Sequence, residues 1–365
     1  MTADVFLCIL GERKRFPTNV IFLERTENVF FEKGLKMVSI KDVARQAGVA
    51  ISTVSKVLNG YPGISEDTKK KVHEAISELN FVPNSIAAAL SSKKAGRIAL
   101  LLNMKGKNTA IQEINMQYLS GGIHKAQEMK LDLITVFFSM LEDKTVEEVI
   151  QYFKIQNIEG IIIYGLTDKE KTLWELIKSG VFKTVLIDVP YVDEHTSSVG
   201  VDHKAAQMEV ARKTIEENPS KKILYIAGDK NSYASMQRLE GMEELTKELD
   251  CQLFTRYGDF SELKARNITF QYAKKKDVIV CSSDLMAIGA MRALIEMDIF
   301  RPVCGFDGLN LMGYAGKQMN TIKQYFAEVS AEAVQEIANL LGGEKGKRVV
   351  TRHTVERMKY LDIIC

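Results

Sequence analysis

The stretch from Val38 to Asn59, Val-Ser-Ile-Lys-Asp-Val-Ala-Arg-Gln-Ala-Gly-Val-Ala-Ile-Ser-Thr-Val-Ser-Lys-Val-Leu-Asn, constrains the fold more than any other part of the chain. Ser39 followed three residues on by Asp42 is a capping-box pattern, in which the serine accepts the Asp42 N–H and the aspartate reaches back. Ile40, Val43, Ala44 and Ala47 then share one helical face. Gly48 supplies a left-handed residue to end that helix, and Val49 plugs the turn. A second helix follows, with Val54, Val57 and Leu58 facing inward and Ile51, Ser52, Ser55, Lys56 and Asn59 facing outward. Two short helices of this kind, the second apolar behind and small-polar or basic in front, are what a helix–turn–helix needs to enter a major groove.

The segment Ile-Lys-Asp-Val-Ala-x-x-Ala-Gly-Val, with Thr53-Val54-Ser55-Lys56-Val57-Leu58-Asn59 after it, resembles the DNA-binding headpiece of the LacI/GalR (lactose-repressor) family of bacterial transcription regulators. The plainer reading, a generic amphipathic helix pair, leaves the shared register across both helices unexplained. The resemblance implies DNA contacts by Ser39, Ile51, Ser52, Thr53, Ser55, Lys56 and Asn59. Ile51 suits a thymine methyl, and Ser52 can donate or accept. Lys56 stands where relatives often carry Arg, so it can reach guanine without the rigid bidentate fork. Ser39, at a helix N-terminus, is expected on phosphate. Ala50 replaces the serine that usually caps the second helix.

A chain of 365 residues is long enough for two or three units. Its net charge is only +2, so affinity for nucleic acid must be local. Met37 to Ala95 holds eight Lys or Arg against five Asp or Glu, a mildly basic segment. The five cysteines, Cys8, Cys251, Cys281, Cys304 and Cys365, are scattered and lack C-x-x-C spacing, which favours a reducing cytoplasm and no zinc site. The five histidines show no metal-ligand spacing. No apolar run reaches membrane-spanning length. No nucleophile elbow, phosphate loop or dinucleotide fingerprint occurs, so neither an enzyme nor a cofactor is expected.

Residues 1–36 fit nothing that follows. They make a poor signal peptide, being apolar only from Ala3 to Leu10 and lacking a basic leader. The family headpiece normally begins where Met37 stands, so residues 1–36 are expected to be a spurious upstream extension or a disordered arm. Residues 37–82 form the helix–turn–helix domain, with a third helix capped by Ser65 and lined inward by Val72, Ala75, Ile76 and Leu79. Lys69, Lys70 and Lys71 read equally as a solvated face or as phosphate contacts. Phe81-Val82-Pro83-Asn84 breaks that helix. By resemblance, residues 83–95 are a hinge helix and linker, and Leu90 is the apolar wedge that enters the minor groove.

From Gly96 onward, apolar runs such as Ile98–Leu102, Gly160–Tyr164 and Ile223–Ala227 alternate with helical patterns. That rhythm means βαβ units and buried parallel sheets. It suits two similar doubly wound subdomains over residues 96–365, and the family resemblance adds a likeness to periplasmic sugar-binding proteins. Crossovers are expected near 196–199, 320–324 and 346–350. The expected fold is therefore a small all-α headpiece plus an α/β core.

Arg238-x-x-Gly241, Ser283-Asp284-Leu285-Met286-Ala287-Ile288-Gly289 and Gly305-Phe306-Asp307 also match the family in order. By that match Arg238 and Asp284 are expected to bracket hydroxyls of a small effector, a sugar or derivative, between the subdomains. Phe260 would stack on it, and Asp307 could accept a hydrogen bond. Glu-Ile-Asn-Met at 113–116 departs from the usual Asn-Pro-Phe-Phe, and His203 stands where Asn is common. These departures also admit a protein corepressor. Trp174 reads as packing. The function implied is a repressor of sugar-utilisation genes, a cytoplasmic homodimer on a pseudo-palindromic operator. A sugar-binding protein or sugar-active enzyme of the same core is the alternative.

Overall fold

The computed structural model describes residues 38–58, 61–79, 81, 96–104 and 109–357. The expected extension 1–36, the hinge with Leu90, and Asn59 lie outside the described residues. The chain divides into two compact units, one within residues 1–92 and one within 93–365.

The first unit holds α1 (Ile40–Ala47), α2 (Ile51–Leu58) and α3 (Glu66–Glu78). At the start of α1 the Ser39 N–H donates to the Asp42 carboxylate at 3.0 Å, and the Ser39 hydroxyl donates to the same oxygen at 2.7 Å. Gly48 ends α1 at φ +65°, ψ +32°, and the Val49 N–H closes onto the Ala44 carbonyl at 3.0 Å. That left-handed residue lets two eight-residue helices meet across three intervening positions. Val43, Ala44, Val54, Val57, Val72, Ala75 and Phe81 form the core, with Val49, Leu58, Ile76 and Leu79 packed against it. Phe81, which reads in sequence only as part of a helix break, is thus a core residue.

The second unit contains two six-stranded sheets. The first sheet is built from β1 (Arg97–Leu102), β2 (Asp132–Phe137), β3 (Ile158–Tyr164), β4 (Lys183–Ile187) and β5 (Thr196–Gly200). The second uses β6 (Lys222–Ala227), β7 (Gln252–Tyr257), β8 (Val278–Cys281), β9 (Val303–Cys304) and β10 (Asn320–Gln324). Two late strands, β11 (Arg348–Val350) and β12 (His353–Arg357), complete the first and second sheets respectively. The orders are β11-β5-β4-β3-β1-β2, all parallel, and β12-β10-β9-β8-β6-β7, parallel except for β12.

Strand residues alternate between two apolar layers. Ala99, Leu101, Ile161 and Ile163 pack on one face of the first sheet, while Ile98, Leu100, Ile162 and Tyr164 pack on the other. Burial on both faces explains why these strands read as unbroken apolar runs.

The chain passes between the sheets three times: after Gly200, after Gln324 and after Val350. The sequence expects passages near 196–199, 320–324 and 346–350, and the strands that precede them end at Gly200, Gln324 and Val350. The strands continue until their last paired residue, and the helical rhythm alone does not mark that point.

Candidate functional site

On α2, Val54 and Val57 are buried, whereas Ile51, Ser52 and Lys56 are exposed and Thr53 and Ser55 are half-buried. Ile51 is 45% exposed. A large aliphatic side chain left in water on a helix with an otherwise polar outer face is the kind of contact that a thymine methyl would cover. The lysine run on α3 is partly occupied. Lys69 pairs with Glu66 at 2.6 Å and Lys71 with Asp67 at 2.7 Å.

In the core unit a cleft of about 790 Å³ opens beyond the carboxyl ends of strands from both sheets. This is where doubly wound folds bind ligands. Its walls carry Asp188 after β4, Ser283 after β8 and Asp307 after β9, with Phe260 after β7. Four wall residues other than glycine hold positive φ: Asp188 (59°), Asp259 (51°), Phe260 (55°) and Asp307 (127°). Such conformations cost about 1–3 kcal/mol each and gather at functional sites.

Arg238 and Asp284 are not on the walls. Arg238 sits on α8 (Tyr233–Glu248) and is only 4% exposed. It donates to the Ser282 carbonyl at 2.5 Å and to Nδ1 of His203 at 3.3 Å, and its guanidinium lies 3.6 Å from the centre of the Phe306 ring. Its Nη1 stands 3.7 Å from the Asp307 carboxylate. The guanidinium therefore braces the wall from behind. Nδ1 of His203 faces only donors, so by the hydrogen-bond network the ring proton belongs on Nε2, 2.9 Å from Asp188. Burial lowers the His203 pKa and outweighs the pull of Asp188, which keeps the ring neutral.

Asp284 is fully buried at the start of α10 (Asp284–Glu296). It accepts the Leu309 N–H at 2.7 Å and the Thr321 hydroxyl at 2.6 Å, tying the loop after β9 to the helix. Glycines make room for these acids. A Cβ on Gly305 would come within 2.3 Å of Asp284, and one on Gly200 within 2.2 Å of Asp188. Burial pushes the carboxyls of Asp284 and Asp307 above the ordinary range, against the pull of Thr321 on the first and Arg238 on the second.

Phe260 and Asp307 do stand on the wall. The Phe260 ring lies over Gly228, where a Cβ would meet its Cζ at 2.2 Å. Sequence reasoning missed Asp188, Tyr118 and Tyr164. Asp188 carries a legible signal, an acid directly after the buried run Thr184–Ile187. Tyr118 lies within α4 (Thr109–Glu128), where nothing in the helical pattern sets it apart from core.

The two lobes touch at the cleft rim. The Tyr233 hydroxyl donates to Asp168, and Lys169 pairs with Asp229 at 3.7 Å. Trp174, on α6 (Lys171–Lys178), meets Tyr191 edge-on at 5.6 Å and Tyr233 at 6.1 Å. Elsewhere on the rim, the departing Glu-Ile-Asn-Met segment places Ile114 and Asn115 on the wall, and Glu113 accepts the Asn310 N–H at 3.4 Å. Among the described residues, no cluster of His, Cys, Asp or Glu could hold a metal, and no helix is long and apolar enough to cross a membrane.

Two parallel α/β lobes around a cleft, with a separate three-helix unit, define a periplasmic-binding-protein-like core joined to a helix–turn–helix. The comparisons with known proteins agree. Residues 39–84 match the family described as "Bacterial regulatory proteins, lacI family". Catabolite control protein A of Staphylococcus aureus is 27% identical over 329 residues, covering 87% of this chain and 98% of the relative. The HTH-type transcriptional regulator MalR of Clostridium butyricum is 29% identical over 337 residues, with coverage of 87% and 98%. The lac repressor dimer bound to operator and the anti-inducer ONPF superposes with a TM-score of 0.75 at 24% identity, covering 89% of this chain and 99% of that one. A CelR–cellobiose complex gives 0.64 at 22%, with coverage of 88% and 99%. Residues 39–84 thus match the lacI-family DNA-binding segment, most of the chain is similar to bacterial regulators such as MalR, and its fold is that of the solved lac repressor.

Proposed function

We propose that this protein is a sequence-specific repressor of sugar-utilisation genes that acts as a cytoplasmic homodimer on a pseudo-palindromic operator. A small effector, a sugar or derivative, would occupy the cleft and set operator affinity. The observation that carries this reading is the outer face of α2, where Ile51, Ser52 and Lys56 stand exposed over a fully apolar inner face. In this reading Ile51, Ser52 and Lys56 read base edges, Thr53 and Ser55 support them, and Ser39 sits on phosphate. A structurally similar regulator solved as a cellobiose complex supports a sugar effector. A ligand switches operator affinity only by its difference in affinity for the two closure states of the cleft. A gel shift with DNA flanking the protein's own gene, with and without free sugars, tests the proposal. Binding one site that a sugar releases or tightens is the expected result. Failure to retard any specific fragment would remove the regulator reading.

A further inference from the structure

The charge arrangement inside the cleft narrows what can bind there. Six carboxylates, from Glu142, Glu170, Asp188, Asp229, Asp259 and Asp307, line it against two lysines, Lys169 and Lys171. Lys169 pairs with Asp229 at 3.7 Å, Asp259 with Lys264 at 2.5 Å, and Asp307 stands 3.7 Å from Arg238, which still leaves more acids than bases on the wall. The one arginine that a strand-end motif offers, Arg238, is locked behind Asp307 on a backbone carbonyl, His203 and the Phe306 ring. The helix starts that meet the cleft offer an anion little. Ser283 caps its own helix with its hydroxyl, and the adjacent Asp284 already places an acid in that first turn. Ser232 likewise caps α8.

One polar group in the cleft is unspent. The Tyr118 ring is only 6% exposed, held by Tyr164 at 4.7 Å and Phe326 at 5.3 Å. Its hydroxyl has no hydrogen-bond partner among the described residues. Tyr118, Asp188 and Asp307 line the same cleft. A hydroxyl that reaches a cleft without a protein partner is satisfied by a ligand that brings hydrogen-bonding groups of its own.

We infer that the cleft selects a polyhydroxyl ligand carrying no anionic group, a free sugar or amino sugar, and rejects sugar phosphates and sugar acids. This deepens the reading of the cleft as the effector site and rests on it. Asp188 and Asp307 hydrogen-bond to ligand hydroxyls, and the Tyr118 hydroxyl adds a further bond from the same wall. The aromatic faces of Tyr118, Phe260 and Phe326 cover its C–H faces. A phosphate would face the carboxylate excess with no unpaired guanidinium to meet it.

The test is titration calorimetry on the full chain with glucose, maltose, cellobiose and glucosamine, against glucose 6-phosphate, fructose 6-phosphate and glucuronate. A gel shift on the same preparation runs alongside. At least one uncharged or amino member is expected to bind about tenfold or more tighter than every anionic one. Tyr118→Phe, which keeps the ring packing, is expected to weaken that ligand about fivefold, the loss of one hydrogen bond. Asp188→Asn is expected to weaken it further. An anionic member binding as tightly as any uncharged one overturns the inference. So does silence from the whole uncharged set in protein that still binds its operator, and so does Tyr118→Phe binding as wild type. Protein that takes up a sugar but retards no DNA fragment would leave this inference standing and remove the regulator reading instead.

Discussion

The headpiece and the cleft treat their polar side chains in opposite ways. On α2 the polar and basic residues stand outside a closed apolar core, and removing one leaves that core intact. In the cleft the charged residues turn inward and hold one another. Arg238 braces Asp307, His203 faces Asp188, and Asp284 staples the loop at Leu309. The first surface separates recognition from stability. In the second the same charges serve both, so a substitution aimed at binding also acts on the fold.

Arg238→Ala gives the sharpest break between the two regions. It strands the buried Asp307 and the Ser282 carbonyl, and a cost of about 3–5 kcal/mol in core stability is expected from breaking a buried pair. Urea unfolding of the variant would measure it. A loss under about 1 kcal/mol would mean that the guanidinium is free to serve a ligand, as the motif match implies.

Lys56→Ala is the headpiece counterpart. It is expected to leave stability unchanged and to relax preference at one symmetric base pair by about 1–3 kcal/mol. Binding-site selection on both proteins reads this directly. Uniform weakening across all sequences would make Lys56 a phosphate contact.

Asp307→Asn sharpens the comparison through pH. The folded protein holds this carboxyl's pKa above the ordinary range, so the native state binds the proton more readily than the unfolded chain. Native stability from this group is therefore fully present below about pH 4 and is lost progressively as pH rises to about 8. The variant, which does not titrate, should gain on wild type by on the order of 1 kcal/mol across that interval. Paired thermal melts at pH 4.5 and pH 8, conditions of about the two ends of the window, give the difference. A variant that instead gains toward low pH would show that Arg238 dominates the carboxyl.

The smallest effect is expected from Ser39→Ala. The hydroxyl already donates to Asp42, so its loss trims the α1 cap by about 0.5–1 kcal/mol and weakens all operators alike. A base-specific change in the selected site would contradict that.

Legibility follows the same division. Helical period alone separates the faces of α2, because a protruding site needs only one side of a helix to be polar. Apolar runs likewise reveal the two buried sheets, because parallel strands with helices on both faces have no polar side to interrupt them. The cleft is harder to read. Asp284 follows a strand end as closely as Asp307 does, and Arg238 lies in the helix after one, yet these two lie behind the wall while Asp188 and Asp307 stand on it. The difference comes from partners far along the chain, such as His203 for Arg238 and Leu309 and Thr321 for Asp284. Nothing local to either motif announces those partners. The glycines at 200 and 305 are the nearest thing to a local mark, and they show where an acid has been admitted rather than what it will touch.

Trp174 is the only tryptophan in the chain, and its ring lies at the cleft rim against Tyr233 of the opposite lobe. The protein thus carries a built-in optical gauge. Indole emission responds to the water and rings around it, so parting of the lobes would be visible as a change in colour and quenching with no label attached. Every ligand titration on the unmodified chain is in that sense also a measurement of its shape.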